Sequence, residues 1–100
     1  MKVIYLTQAL RDMNWVRKYY NEVFPAGRSN ARSQIRKTET LISENPLVGY
    51  QSETVNGARE FHISRTPFSF LYRVTKENVE IMRVVDGRSN WDQQVLEDEK

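Results

Sequence analysis

The fold is decided by REFHIS (59–64), FSFLYRVT (68–75) and VEIMRVVD (79–86), three stretches in the second half of the chain. Each is rich in β-branched and aromatic residues, which favour strands. Only three residues separate each stretch from the next, so consecutive strands are expected to pair through tight antiparallel hairpins. The first stretch alternates polar and apolar residues as a half-buried strand does, and the other two are continuously apolar enough to be central strands.

The first half of the chain predicts one strand and two helices. Residues 2–6 form a short strand, and Thr7 is placed to cap the helix that follows. Apolar residues then recur every three or four positions from Leu10 to Val23, as they do on one face of a helix. A second helix is expected from about Ser29 to Ser43, because the next residues include an Asn-Pro pair that stops it.

These elements run in the order βααβββ, which predicts a single α+β domain over residues 1–100. Two antiparallel helices are expected on one face of a mostly antiparallel four-stranded sheet. The other face stays uncovered unless a short C-terminal helix that begins near Ser89 reaches it, ahead of an acidic tail at 92–100. Residues 45–58 are expected to form the longest loop. The predicted core contains or borders Leu10, Met13, Val16, Ile35, Ile42, Ile63, Phe70, Tyr72 and Ile81.

Composition places the chain among globular proteins of a reducing compartment. It has no cysteine, and its N-terminus resembles neither a secretory signal nor a membrane span, so a cytoplasmic location away from membranes is expected. The last nine residues hold four acids and one lysine, so the first 91 carry fourteen basic and nine acidic side chains, a formal charge of +5. Such a surface favours acidic partners.

The sequence contains no recognisable catalytic constellation. With a single histidine and no cysteine, it offers neither a nucleophilic Cys/His pair nor a histidine-rich metal site, and its glycines match no phosphate-binding fingerprint. We therefore predict no catalytic residues, no metal and no cofactor. His62 is best explained as a surface or sheet-packing residue of its strand.

Arginines are concentrated on or beside the three predicted hairpin strands. An arginine inside an apolar strand, such as Arg83, needs the open face of the sheet or an ion-pair partner, for which Glu60 is a candidate. A group of guanidinium ions on a sheet suits phosphates or the carboxylates of an acidic peptide, although ion pairs within the sheet are an equal alternative. The group comprises Arg59, Arg65, Arg73, Arg83 and Arg88.

Short motifs in the same region make residues 2–91 resemble the RelE/ParE toxin superfamily, and its ParE branch most closely. The motifs are Pro46, Gly49 and Gly57 ahead of the hairpins, Arg59-Glu60, Tyr72-Arg73-Val74, and an Ile81-x-Arg83-Val84 run that leads to Gly87-Arg88 and Trp91. The resemblance implies a toxin of a type II toxin–antitoxin system. A ParD-like antitoxin with an acidic, partly disordered segment would neutralise it in a hetero-oligomer, and DNA gyrase would be its target.

Two departures from the relatives bear on the alternative function, the ribosome-dependent cleavage of messenger RNA that RelE-like toxins perform. Ser69 stands where they carry a catalytic arginine, and no tyrosine follows Tyr72. A non-enzymatic toxin without sequence-specific nucleic-acid binding is therefore expected. We assign antitoxin contacts to Arg59, Arg65 and Arg83, and target contacts to Arg65, Arg88 and Trp91, while Asp86 replaces the histidine common before Gly-Arg and lowers the local positive charge.

Overall fold

A computed structural model describes residues 1–88 of the chain. The elements in chain order are β1 (Lys2–Tyr5), α1 (Thr7–Lys18), a π-helical turn (Tyr19–Val23), a 3₁₀ turn (Pro25–Gly27), α2 (Arg28–Glu44), β2 (Tyr50–Gln51), β3 (Arg59–His62), β4 (Phe68–Val74) and β5 (Asn78–Asp86). The predicted C-terminal helix, Trp91 and the tail at 92–100 lie outside the described residues. Within residues 1–88, no helix combines the length and the apolar character needed to cross a membrane.

The strands form one mixed sheet in the order β1-β5-β4-β3-β2. The two hairpins are antiparallel as predicted, and β1 pairs with β5 in parallel, with Val3 opposite Val79. The predicted βααβββ fold is confirmed, but the sheet has five strands instead of four. The additional strand is β2, whose two residues lie inside the predicted loop and pair with β3; so short a strand leaves no periodic pattern in the sequence.

Both helices pack on the same face of the sheet, over a core centred on β4 and β5. Of the predicted core residues, Val16, Ile42, Ile63, Phe70, Tyr72 and Ile81 are buried. Met13 and Ile35 border the core. The prediction that Leu10 is buried is wrong, because its side chain is 54% exposed. The two helices make few contacts with each other. Part of the apolar stripe of α1, including Leu10, is therefore left uncovered.

Helix α1 starts without the predicted side-chain cap. Thr7 is its first residue, and Leu6 holds the cap position with no side-chain hydrogen bond. The backbone N–H of Leu6 still donates to the Ile81 carbonyl at 2.9 Å, while the Leu6 carbonyl accepts from the N–H of Leu10 at 3.0 Å. The chain thus passes from strand pairing to helix within one residue, which leaves no room for a capping turn.

The sheet face opposite the helices is partly covered. Val55 and Ala58, from the loop between β2 and β3, pack with Leu71 of β4 and Met82 of β5 in a small second core. The loop turns at Gly57, whose φ of +80° is a conformation that favours glycine. The prediction that only a C-terminal helix would cover this face is therefore wrong for the part beneath Val55.

Candidate partner-binding groove

An open groove of about 530 Å³ lies between α1 and α2. Its apolar lining comes from β1, both helices and the π-helical turn: Tyr5, Leu10, Met13, Val16, Tyr20, Ala31 and Ile35. The half-exposed side chain of Leu10 is explained by this position, because it faces a groove that no other described element fills. An apolar surface of this kind, bordered by polar residues, is typical of an interaction site.

Four arginines border the groove. Arg17 projects from α1, and Arg28, Arg32 and Arg36 stand on α2 at intervals of four residues, which places them on one side of that helix. All four are exposed. Arg28 donates to Asn21 Oδ1 at 3.2 Å, across the end of the groove where the π-helical turn meets α2. Guanidinium groups in such a row suit a partner with acidic side chains.

Glu39 is the one acidic residue among those that line the groove. Its Oε2 accepts a hydrogen bond of 2.7 Å from the hydroxyl of Tyr5. Burial and the neighbouring carboxylate raise the pKa of Tyr5, so the phenol stays protonated and remains a donor. The Tyr5 ring also packs edge to face against Phe70, with centroids 6.0 Å apart. Glu39 is therefore fixed to the core through a rigid side chain.

Arg59, the first predicted antitoxin contact, is committed to the backbone of its own chain. Its Nη1 donates to the carbonyls of Gly49 at 2.7 Å and Leu47 at 3.3 Å. The buried hydroxyl of Tyr72 holds the same loop, since it donates to the Pro46 carbonyl at 2.8 Å and accepts from the Gly49 N–H at 3.0 Å. Four of the family motif residues thus form one hydrogen-bonded cluster that fixes the loop after α2.

Arg83 forms a bidentate ion pair with Asp12 of α1. Its Nε and Nη2 donate to the two carboxylate oxygens at 2.8 and 3.2 Å. Asp12 also accepts from the backbone N–H of Val84 at 2.9 Å. β1 ends opposite Ile81, so Asp12 binds the part of β5 that lies beyond the end of β1. Asp12 of α1 therefore supplies a carboxylate partner for Arg83 that the sequence did not predict.

Arg65 lies in the turn between β3 and β4 with a φ of 60°. Its side chain is exposed, and its carbonyl accepts from Asn30 Nδ2 of α2 at 3.4 Å. The three predicted antitoxin contacts therefore lie in different places. Arg59 lies under the loop after α2, Arg65 at the turn between β3 and β4, and Arg83 in the part of β5 beyond the end of β1. The structure does not bring them together into one site.

Arg88, a predicted target contact, belongs to an aromatic cluster beside the end of α1. Its guanidinium binds both oxygens of Asp86 at 3.0 and 2.9 Å and lies 5.3 Å from the centroid of the Tyr19 ring. These contacts lower the pKa of Asp86. The ring of Trp15, which is 52% exposed, stacks on the ring of Tyr19, with centroids 6.1 Å apart. Of this cluster, only Arg88 was predicted as a target contact, and Trp15 and Tyr19 were not assigned to that surface.

The described residues hold no arrangement that we recognise as catalytic. The Nε2 atom of His62 lies 2.6 Å from the Thr66 carbonyl. Ser69 is opposite His62 in the sheet but is buried. No group of three acidic or histidine side chains within residues 1–88 is placed to hold a metal ion.

The groove arginines were not predicted as site residues, because arginines inside apolar strands are the more unusual feature of the sequence. Their spacing of four residues was a readable signal, since it places them on one side of α2. The role of Asp12 had no such signal, because its partner Arg83 is 71 residues away in the chain.

Comparisons with known proteins agree with this architecture. A family model for the ParE toxin of type II toxin–antitoxin systems, parDE, matches residues 3–91. A solved structure of the chromosomal ParDE system from P. aeruginosa is 25% identical, with a TM-score of 0.69, and the alignment covers 86% of this chain and 95% of that one. The E. coli DinJ-YafQ complex shares the fold at 16% identity, with a TM-score of 0.60 and coverage of 90% and 97%. The search of curated proteins found no match. The chain belongs to the ParE toxin family of type II toxin–antitoxin systems.

Proposed function

We propose that this ParE-family toxin is neutralised by a cognate antitoxin that places an amphipathic, acidic helix in the groove between α1 and α2. The observation that carries the proposal is the combination of an apolar lining with four exposed arginines at its border. The similar P. aeruginosa protein is described as part of a ParDE system, which supports an antitoxin as the partner.

A helix suits this groove for physical reasons. Grooves between two helices bind a third through apolar residues at positions i, i+3, i+4 and i+7. Acidic residues beside that stripe would meet the guanidinium groups of Arg28, Arg32 and Arg36, each of which can bind a carboxylate through two parallel hydrogen bonds. A segment that is disordered when free and folds on docking would also fit, because a large apolar contact can offset the cost of ordering it.

The first test is Leu10→Glu, compared with Leu47→Glu. Both leucines are exposed, at 54% and 67%, but only Leu10 lines the groove. We expect Leu10→Glu to weaken binding of the cognate antitoxin by about tenfold to a hundredfold, since it puts a charge into an apolar contact. Leu47→Glu should bind as the wild type does. Isothermal titration calorimetry measures the affinities, and thermal unfolding should show both variants to be folded.

The opposite pattern, in which only Leu47→Glu loses affinity, would reject the groove. So would sedimentation data in which the free toxin dimerises and Leu10→Glu returns it to a monomer, because a second copy would then occupy the groove.

Arg65→Glu tests the contacts assigned to the arginines of the sheet, which remain a prediction. If it alone abolished binding, the antitoxin would lie on that surface instead.

We infer further that the toxin acts on DNA gyrase by binding, and that RNA cleavage is not its activity. The absence of a recognisable acid–base arrangement among residues 1–88 supports this, since general acid–base catalysis needs groups positioned at the scissile bond. Arg65, Arg88 and Trp91 are the proposed target contacts. Trp15 and Tyr19 extend that surface, because they stack beside Arg88 and because tryptophan, tyrosine and arginine are common interface anchors.

The second test compares two activities of the purified toxin. In a gyrase supercoiling reaction we expect inhibition that Arg88→Ala or Trp15→Ala weakens by about tenfold, as loss of an interface anchor does. Arg73→Ala serves as the control, because Arg73 is a strand arginine outside this surface with an exposed ion pair to Glu80. Messenger RNA on translating ribosomes should remain intact. Ribosome-dependent cleavage without any effect on supercoiling would overturn the proposal in favour of a RelE-like nuclease.

A further inference from the structure

We propose that Glu39 makes the groove select a partner helix that carries one basic residue within an otherwise acidic border. This inference rests on the proposed function of the groove and specifies the chemistry of its partner. It would make Glu39 a residue that determines specificity between this toxin and the antitoxins of related systems.

The charge pattern of the groove carries the inference. Three arginines follow one another along α2 at positions 28, 32 and 36, and the next groove residue of that helix is Glu39. Since α1 and α2 run in opposite directions, Arg28 lies beside Asn21 at one end of the groove. Glu39 lies beside Tyr5, near the start of α1, at the other end. The sign of the charge therefore changes along α2, and Arg17 of α1, which acts electrostatically on Tyr5, is a cation that neighbours this end of the groove.

The contact with Tyr5 keeps the Glu39 carboxylate in the groove. An exposed glutamate on a helix is free to rotate away from an acidic partner, but the hydroxyl of Tyr5 binds Oε2 at 2.7 Å. Tyr5 cannot yield easily, because its ring packs against the buried Phe70. An acidic residue that docked opposite Glu39 would meet a fixed like charge, whereas a lysine or arginine there would complete an ion pair.

The test uses synthetic helical peptides with one constant apolar stripe. The parent peptide has only glutamates beside the stripe, and in each member of the series a single lysine replaces one of those glutamates at a different position. Fluorescence anisotropy at low salt gives the affinity of each peptide for the full-length toxin. We expect one lysine position to bind about fivefold more tightly than the parent, as a single partly exposed ion pair allows, and the other positions to bind more weakly.

Two toxin variants assign that gain to Glu39. In Glu39→Gln the advantage of the favoured lysine should disappear, and in Tyr5→Phe, which keeps the ring, it should fall. Arg32→Gln is the matched control, because it should weaken binding of the parent and of the favoured lysine peptide equally. If the parent binds and no lysine position improves on it, or if the gain persists in Glu39→Gln, this inference is wrong and the proposed function stands. If no peptide binds, the proposed function fails and the inference fails with it.

Discussion

Replacing Asp12 by alanine is expected to lower the free energy of unfolding by about 2 to 4 kcal/mol, as the loss of one partner from a largely buried ion pair does. The side chains of Arg83 and Asp12 are only 15% and 16% exposed. The change removes the carboxylate that holds a desolvated guanidinium and also the acceptor for the Val84 N–H. Urea denaturation followed by circular dichroism measures the difference.

Arg73→Ala is the matched control for this prediction. Arg73 also forms an ion pair, with Glu80 at 2.6 Å, but its side chain is 50% exposed. Because solvent screens this pair, Arg73→Ala should lower the free energy of unfolding by less than about 1 kcal/mol. The double variant Asp12→Leu/Arg83→Met should recover part of the stability, since it replaces the charged pair with apolar groups. If Asp12→Ala cost no more than Arg73→Ala, the pair would not be the connection between α1 and β5 that we describe.

Gly49→Ala is expected to destabilise the domain by about 2 to 4 kcal/mol through overpacking and broken hydrogen bonds. A Cβ at this position would lie 2.7 Å from the Tyr72 hydroxyl and 2.8 Å from the backbone carbonyl of Glu60. Neither atom can move freely, because the hydroxyl is hydrogen-bonded to the loop and the carbonyl belongs to β3. Thermal unfolding of the variant should therefore show a clear fall in the midpoint.

Gly87→Ala provides the control, since the nearest atom to its Cβ would be the Pro67 carbonyl at an ordinary 3.6 Å. It should change stability by no more than about 0.5 kcal/mol. Tyr72→Phe keeps the ring and removes only the hydroxyl that binds Pro46 and Gly49. We expect Tyr72→Phe to lower the free energy of unfolding by about 1 to 3 kcal/mol. Equal stability of the two glycine variants would contradict the close packing around Gly49.

The fold was predictable from the sequence because its signals are local. Runs of apolar and β-branched residues gave β3, β4 and β5 to within two residues, and helical periodicity gave α1 and α2. The short β2 was missed, and the predicted Thr7 cap of α1 was wrong. Both features depend on hydrogen bonds to residues distant in the chain. β2 forms only by pairing with β3, and the backbone N–H of Leu6 donates to the Ile81 carbonyl.

The groove was harder to predict because periodicity identifies an apolar face and not what covers it. Leu10 belongs to the apolar stripe of α1, yet it faces the open groove and stays exposed. Arginines are unfavourable in apolar strands, which predicted a binding role for them, but Arg59 and Arg83 are bound within the chain. The exposed arginines of α2 were unremarkable by composition, and only the fold places them beside an apolar surface.

The parallel pairing of β1 with β5 affects how the toxin is made. Residues 2–5 are synthesised well before their strand partners at 78–81. At typical rates of synthesis the nascent β1 waits roughly 4 to 15 s for β5. Until then β5, the strand that lies between β1 and β4, is missing from the sheet. The closure of so long a loop slows this final step. The sheet can therefore be completed only after nearly all of residues 1–88 have been synthesised.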